Sequence, residues 1–404
     1  MQRCYIGVDW ANQAHVLWVV DERGEQVWSA QVDETEEGLS ELGQWLYTHR
    51  NEGVELWASI EKPEGRIVDF LLDHGVVVYP INPKALDRAR DRFRMSGAKS
   101  DPFDARVLAE FLRTDHPHLR PLLPSSDQAQ ELKLLTRDHQ RLLRNQTRLL
   151  NQLTATLKEY YPCPLKVFKD LSTASALDFL ERYPTPEGLT PQEWQQFAAA
   201  HRWSRSRASQ AWELLSQPSI PVPAHVARAK SRLLRALVAQ LRVMGATLGE
   251  YKAEIEDFFA SMPVADVARS LPGGKSGVTV PSLWAELGDA PGRWESFQHL
   301  QGQGGAVPVT KRSGKSSAVH FRFACNKRLR HAVNRLAFLS LRYSTWAPAY
   351  YRQQRRKGHT HHQSLRALGA KWLKIIFVMW RDQTPYNEER HLANIARQTM
   401  YQAA

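Results

Sequence analysis

Short runs rich in β-branched and aromatic residues open the chain: Tyr5-Ile-Gly-Val-Asp9, His15-Val-Leu-Trp-Val-Val20 and Glu25-Gln-Val-Trp-Ser-Ala30, with the polar Asp21-Glu-Arg-Gly24 between the last two. Runs of this kind around a turn signal predict a hairpin or meander. The pattern then changes to a helical stretch from about Glu36 to His49, a strand over Val54 to Ile60, a helix from about Gly65 to His74, and a strand Val76-Val-Val-Tyr79 that ends at Pro80-Ile-Asn-Pro83. Antiparallel strands followed by alternating strands and helices predict a mixed α/β sheet.

From Asp127 to about Tyr160 the chain reads as one long polar helix with a heptad-like stripe of Leu132, Leu135, Leu142, Leu149, Leu153 and Leu157, stopped by Pro162 and Pro164. A second long helix from about Val226 to Phe259 carries Leu233, Leu234, Leu237, Leu241, Met244 and Leu248. A smaller helical region, Val167 to Leu215, lies between them with Pro-rich joints. The two long helices can pair as an antiparallel, coiled-coil-like hairpin serving as a stalk or dimerisation arm, or can simply cover a core. Beyond Leu271-Pro-Gly-Gly, helices are expected around Pro281 to Leu287, Asn326 to Tyr343 and Leu365 to Trp380. The expected organisation is 1–124 as an α/β domain, 125–265 as a helical middle, and 266–404 as a mainly α-helical C-terminal domain.

Composition narrows the function classes. The 404 residues are 43% hydrophobic, enough to bury one or two cores, and carry 54 Lys and Arg against 42 Asp and Glu, a formal net charge of +12. That balance, with a pI near 9.6, points to a polyanionic partner. No apolar run is long enough to span a bilayer, and the N-terminus has no secretory pattern, so a cytoplasmic protein is expected. Cys4, Cys163 and Cys325 are too few and too scattered for a disulfide framework or a zinc knuckle. The charge is also unevenly placed: from Ser296 to Arg381 there is no Asp or Glu, while Lys311, Arg312, Lys315, Arg322, Lys327, Arg328, Arg330, Arg355, Arg356 and Lys357 accumulate. A solvated face mixes both signs, so these residues are candidate nucleic-acid contacts. Arg342, Tyr343, Trp346, Tyr350 and Tyr351 interleave charge with rings that serve either as stacking surfaces or as core.

Four acids form a second candidate constellation. Asp9 and Glu61 each end a strand, and Asp101 and Asp104 share one face at the start of a helix. Such a set needs compensation by one or two divalent cations, and hard oxygen ligands favour magnesium, or manganese, over zinc. Taken singly, each acid has a plain alternative: Asp101 and Asp104 make a good helix start beside Pro102, and Asp9 and Glu61 can end strands for solubility. As a set, strand Asp, strand Glu and helical Asp-x-x-Asp fall in the order that an RNase H-like nuclease requires. In the basic part, Gly305-Ala-Val-Pro-Val-Thr-Lys-Arg-Ser313-Gly-Lys-Ser316-Ser317 reads as a flexible segment with three hydroxyls. A serine among Lys311, Arg312 and Lys315 is either a nucleophile toward phosphate or a phosphate-binding hydroxyl. The triplets Gly274-Lys-Ser and Gly314-Lys-Ser are not P-loops, because the required upstream glycine is Arg269 in one and Val309 in the other.

The order of the acids, with Tyr79-Pro-Ile-Asn-Pro83 and Ser96-Gly-Ala-Lys-Ser-Asp-Pro-Phe-Asp-Ala-Arg-Val-Leu-Ala109, resembles the RuvC-like DEDD domain of the bacterial insertion-sequence family number one-hundred-and-ten. Leu271-Pro-Gly-Gly, Leu283-Trp-Ala-Glu-Leu-Gly, Val307-Pro-Val-Thr-Lys-Arg-Ser-Gly-Lys, Trp346-Ala-Pro-Ala-Tyr-Tyr and Lys371-Trp-Leu-Lys-Ile are similar to that family's transposase domain. The resemblance implies an RNase H-like domain whose Asp9, Glu61, Asp101 and Asp104 hold magnesium. It also implies a nucleophilic Ser313 that joins DNA through a phosphoserine, a structured bridge RNA that pairs with donor and target DNA, and a dimer or tetramer in which different subunits supply the two domains. One departure is Lys62-Pro-Glu-Gly after Glu61, which places Glu64 as another acid nearby. The expected function is therefore an RNA-guided DNA recombinase or transposase. Its rivals are a metal-dependent junction-resolving nuclease acting by hydrolysis, and a non-enzymatic nucleic-acid-binding protein.

Overall fold

The computed structural model describes residues 2–93, 100–217, 220–313 and 316–403. The chain forms two compact units, Met1–Pro124 and Ser125–Ala404.

In the first unit, β1 (Arg3–Asp9), β2 (Ala14–Val20) and β3 (Gln26–Asp33) form the antiparallel meander, followed by α1 (Glu36–Asn51), β4 (Glu55–Ile60), α2 (Arg66–Asp73), β5 (Val77–Pro80), α3 (Pro83–Phe93) and α4 (Asp101–Asp115). The sheet order is β3-β2-β1-β4-β5, with β4 parallel to β1 and β5 parallel to β4, an arrangement of the RNase H-like kind. The helix α3 has no counterpart in the sequence expectations. Strand β1 is central and covered on both faces. Cys4, Ile6 and Val8 share a core with Leu42 and Leu46 of α1 and Ile67 and Leu71 of α2, whereas Tyr5 packs on the other face with Ala109 and Leu112 of α4. Side chains alternate along a strand, so Asp9 belongs to the Tyr5 face, toward α4. The same parity holds on β4, where Leu56, Ala58 and Ile60 lie in the α1/α2 core and Trp57 packs on the α4 side, which puts Glu61 on the Asp9 face. Gly7 lets α4 come this close: a methyl at Gly7 would lie 1.8 Å from the Ala105 carbonyl oxygen and 2.5 Å from the Ala109 nitrogen.

The second unit is almost wholly helical. Its long helices are α5 (Asp127–Tyr160) and, after α6 (Cys163–Val167), α7 (Ala174–Arg182), α8 (Pro191–Ala200) and α9 (Arg205–Leu215), α10 (Ala224–Ser261). They pair antiparallel: Lys230 near the start of α10 forms an ion pair with Glu159 at the end of α5, and Leu132 near the start of α5 shares a core with Ile255 and Phe259 near the end of α10. Each end of this hairpin has its own core. Leu153 and Leu157 with Leu234, Leu237 and Leu241 pack on α6 to α9, around Phe179 and Trp194. The other end packs on α11 (Ala265–Arg269), α12 (Thr279–Leu287), α13 (Phe297–Gln303), α14 (Lys327–Tyr343), α15 (Ala347–Arg356) and α16 (His361–Asp382), and α17 (Glu388–Ala403) completes the chain. A buried cluster ties this end together: Arg137 of α5 donates to both oxygens of Glu286 of α12 at 2.8 and 3.1 Å, and Asn326, the N-cap of α14, donates to Glu286 at 2.8 Å.

The segment expected to be a flexible loop differs from that expectation. Val309–Ser313 (β6) and Ser316–His320 (β7) form an antiparallel hairpin, because Val309, Thr310, Val319 and their neighbours satisfy one another's backbone groups in a two-stranded ladder. Among the described residues, no helix is long and apolar enough to cross a membrane.

Candidate functional site

The first site lies at the carboxyl ends of two adjacent parallel strands. Val8 pairs with Ile60, so Asp9 and Glu61 follow side by side at the edge where β1 and β4 end. Across from them α4 begins, with Asp101 as its first residue and Asp104 one turn on. Ser100 is the N-cap of α4, so neither aspartate takes the capping role that a sequence reading allows them. Asp104 is 8% exposed, a burial that a carboxylate accepts only when paired. Its partner is Arg90 of α3, whose Nε and Nη2 donate to the two carboxylate oxygens at 2.7 and 2.8 Å.

The electrostatics show that the acids act on one another. Burial first, then the charges of Asp104 and Asp101, against a lowering by Arg90 and with a further rise from Glu61, push the Asp9 carboxyl from its ordinary 3.8 up to about 6. Oxygen donors alone, held together until one resists ionising, are a donor set suited to a hard divalent cation. The guanidinium of Arg90 supplies positive charge at one edge of this set. Among the described residues, no three His, Cys, Asp or Glu side chains are already arranged around a common point as ligands. Glu64 lies on the exposed loop after Glu61, and Lys62 there sits over the Trp10 ring at 3.4 Å, joining the loops that follow β4 and β1.

The second site is the hairpin. Ser313 ends β6 and is exposed; it pairs with Ser316, while Arg312 pairs with Ser317 and Lys311 with Ala318. By strand alternation Lys311 and Ser313 share one face and Arg312 the other. Lys315, the third expected clamp, lies outside the described residues, as does Ser96 to Lys99 of the motif before Asp101. Lys327, Arg355, Arg356 and Lys357 are exposed, and Arg322, Arg328 and Arg330 are half-buried. Arg322 donates to the Val307 carbonyl and Arg330 to that of Arg322, which fixes both guanidinium stems beside the hairpin.

The aromatic residues divide differently from the sequence pattern. Trp346 is core: it is 7% exposed, packs on Trp372 at 5.0 Å and donates its ring N–H to the Tyr386 hydroxyl. Tyr350 packs against the same core, the Tyr351 hydroxyl is hydrogen-bonded with His361, and Tyr343 is exposed. Three groups of residues were missed by sequence reasoning. Arg90 gave no signal, since its pairing with Asp104 joins two different helices. His139 and His331 converge on a small cavity with Arg328 and Arg335 of the basic stretch, where burial first and then Arg335 lower both histidine pKa values. Phe321 and Phe323, alternating with Arg322, stand exposed, and that alternation in a basic stretch was the available clue.

Comparison with known proteins finds similarity in both units. Residues 6–162 match a family model of DEDD transposases of the IS110 kind, and residues 265–352 match a model described as the transposase of the IS116/IS110/IS902 family. The chain is 32% identical to the candidate mini-circle transposase for IS117 of Streptomyces coelicolor, over 96% of both chains. It is 26% identical to a 42 kDa protein of insertion element IS900 from Mycobacterium paratuberculosis, over 96% of this chain and 98% of that protein, and 28% identical to a 43.6 kDa protein of insertion element IS110 from Streptomyces coelicolor, over 72% of each.

Proposed function

The chain belongs to the IS116/IS110/IS902 family of insertion-sequence transposases, and on that premise we propose that it cuts and rejoins DNA through a covalent phosphoserine at Ser313. The observation that carries this reading is the placement of Ser313: exposed at the end of a hairpin strand, with Lys311 on its face, inside a stretch of sequence that holds no acid. Cations there hold a phosphodiester and favour the deprotonated hydroxyl. In the first step the Ser313 Oγ–P bond forms as the bond from phosphorus to the leaving sugar oxygen breaks; the serine proton passes to solvent and the leaving oxygen takes one up. Rejoining is the reverse, with the hydroxyl of the new strand displacing Oγ.

Asp9, Glu61, Asp101 and Asp104 are the residues that would hold magnesium, and a cation bound there supplies Lewis-acid stabilisation of charge on phosphate oxygens. Asp9, raised first by burial and then by the charges of Asp104, Asp101 and Glu61, supports this assignment. The abundance of basic residues supports protein contacts mainly to phosphates, and the family resemblance implies guidance by a structured RNA that pairs with donor and target DNA. The antiparallel hairpin of α5 and α10, with Leu134 and Val243 exposed along it, supports a role in assembling a dimer or tetramer. On this reading the protein acts on DNA in the bacterial cytoplasm.

The test incubates purified protein, magnesium, the RNA of the element and labelled junction DNA, and compares wild type with Ser313→Ala on denaturing gels. A protein–DNA adduct in wild type that is missing in the variant is the expected result. Cleavage that persists in Ser313→Ala with no adduct in either would overturn the phosphoserine reading in favour of metal-dependent hydrolysis.

A further inference from the structure

A cavity of about 300 Å³ lies between the serine hairpin and the start of α16, lined by Val307 and Pro308, by Val319 to Arg322, and by Gln363 and Arg366. That size is at the lower end of small-ligand pockets, roughly 300–1,000 Å³. Phe321 is part of its wall, and Phe323 and Arg330 stand beside it without lining it, Phe323 against the Phe321 ring and Arg330 over it. Phe323 is 77% exposed and Phe321 37%, their rings edge to face at 5.0 Å, on a surface where large apolar groups gain nothing from facing water. Guanidiniums stand around them: Arg330 and Arg366 lie 5.0 and 4.8 Å from the Phe321 ring, and Arg322 lies between the two phenylalanines in sequence. Arg322 and Arg366 line the cavity with no carboxylate among the described lining residues, and burial, then the charge of the neighbouring Arg330, lower the pKa of Arg366.

We propose that this cavity binds one unstacked nucleotide of a nucleic-acid strand, its base against Phe321 and Phe323 and its phosphate against Arg322, Arg330 and Arg366. A ring beside clustered cations matches both halves of a nucleotide: every base has a face that stacks on an aromatic side chain, and every phosphate is an anion that relieves the repulsion between guanidiniums. The cavity shares β7 with the hairpin that carries Ser313, so a strand seated in it is held within a few residues of the candidate nucleophile. A flipped or single-stranded nucleotide next to a scissile phosphate fixes the register of the strand by shape, with no need to read its sequence. The inference rests on the reading of this unit as a DNA-handling domain, and is independent of Ser313 being the nucleophile.

The test uses the full-length protein with single-stranded oligonucleotides, DNA and RNA in parallel, containing 2-aminopurine at one position. Phe323→Leu and Phe321→Leu keep apolar bulk and remove the ring; Arg366→Gln removes a cation. Wild type is expected to change the 2-aminopurine fluorescence, and each leucine variant to weaken single-strand binding roughly 5- to 100-fold, the range for loss of one stacked base, while duplex affinity stays within about twofold. Arg366→Gln is expected to lower the slope of log affinity against log salt by about 1. Since Phe323 is mostly in solvent, an unchanged melting temperature certifies that its variant is folded. Unaltered 2-aminopurine fluorescence with wild type, or single-strand affinity unchanged in both leucine variants, overturns the proposal. So does a change of oligomeric state in those variants without a change in oligonucleotide binding, which would make the phenylalanines a protein interface. Ser313→Ala separates the two readings: it is expected to stack as wild type does, so lost adduct with intact stacking, or the converse, shows which one has failed.

Discussion

Replacing Asp9 by asparagine should stabilise the metal-free protein while removing its activity. In the folded state the Asp9 carboxyl is raised from 3.8 to about 6, so folding holds its proton more tightly than the unfolded chain does. The native state is therefore favoured at low pH, and this advantage is lost as pH rises from about 4 through 6. A shift of about two units at about 1.36 kcal/mol each sets an upper limit of about 3 kcal/mol, and screening of a partly exposed carboxylate reduces it to about 1–2 kcal/mol. The asparagine side chain keeps the shape and carries no charge, so the variant's advantage over wild type should be near zero at pH 4 and full above pH 7. The assay is amide hydrogen exchange of β1 and α4 in EDTA at pH 5 and 7.5, corrected for intrinsic rates. Protection in Asp9→Asn should exceed wild type by about 5- to 30-fold at pH 7.5 and by less at pH 5. Adding magnesium should raise wild-type protection more than that of the variant, since a ligand stabilises only the state that binds it. Equal or weaker protection in Asp9→Asn at pH 7.5 would refute the convergence of the four acids.

Three further outcomes follow from the packing. Glu286→Leu removes the buried carboxylate that Arg137 and Asn326 share and should cost about 3–5 kcal/mol in urea unfolding of the second unit. Burial raises the Glu286 pKa but Arg137 and Asn326 overcome it and leave it lowered; the stability it contributes is present above the ordinary 4.5 and should fade as pH falls through the lowered value, a dependence absent from Glu286→Leu. Gly7→Ala forces a methyl into the backbone of α4 and should cost at least about 1–3 kcal/mol and weaken magnesium binding measured by calorimetry, because Asp101 and Asp104 ride on that helix. Gly249→Ala, in open space on α10, should instead raise the melting temperature through a gain of about 0.5–1 kcal/mol.

Local periodicity made much of this architecture legible. Two-residue alternation in Tyr5 to Asp9 and Leu56 to Glu61 carries the facing of both strand acids, and the helical stripes of α5 and α10 are continuous in sequence. The hairpin at Val309 to His320 was not legible, because its polar strands bury little and so lack the alternation that announces a strand. Helix α3 was hidden for a related reason: its run Lys84-Ala-Leu-Asp-Arg-Ala-Arg-Asp-Arg buries only Leu86 and Ala89.

The sequence by itself determined the two-part division of charge and the strand and helix periods, since each depends on residues that are neighbours along the chain; the roles expected of Asp9, Glu61, Asp101, Asp104 and Ser313 came from the order of the acids and the family resemblance. Only the tertiary structure decided that Arg90 neutralises Asp104, that Trp346 is core, and that Phe321 and Phe323 face solvent among arginines. Those facts depend on which distant segments meet, and burial is a property of the packed whole that no local pattern of apolar residues encodes.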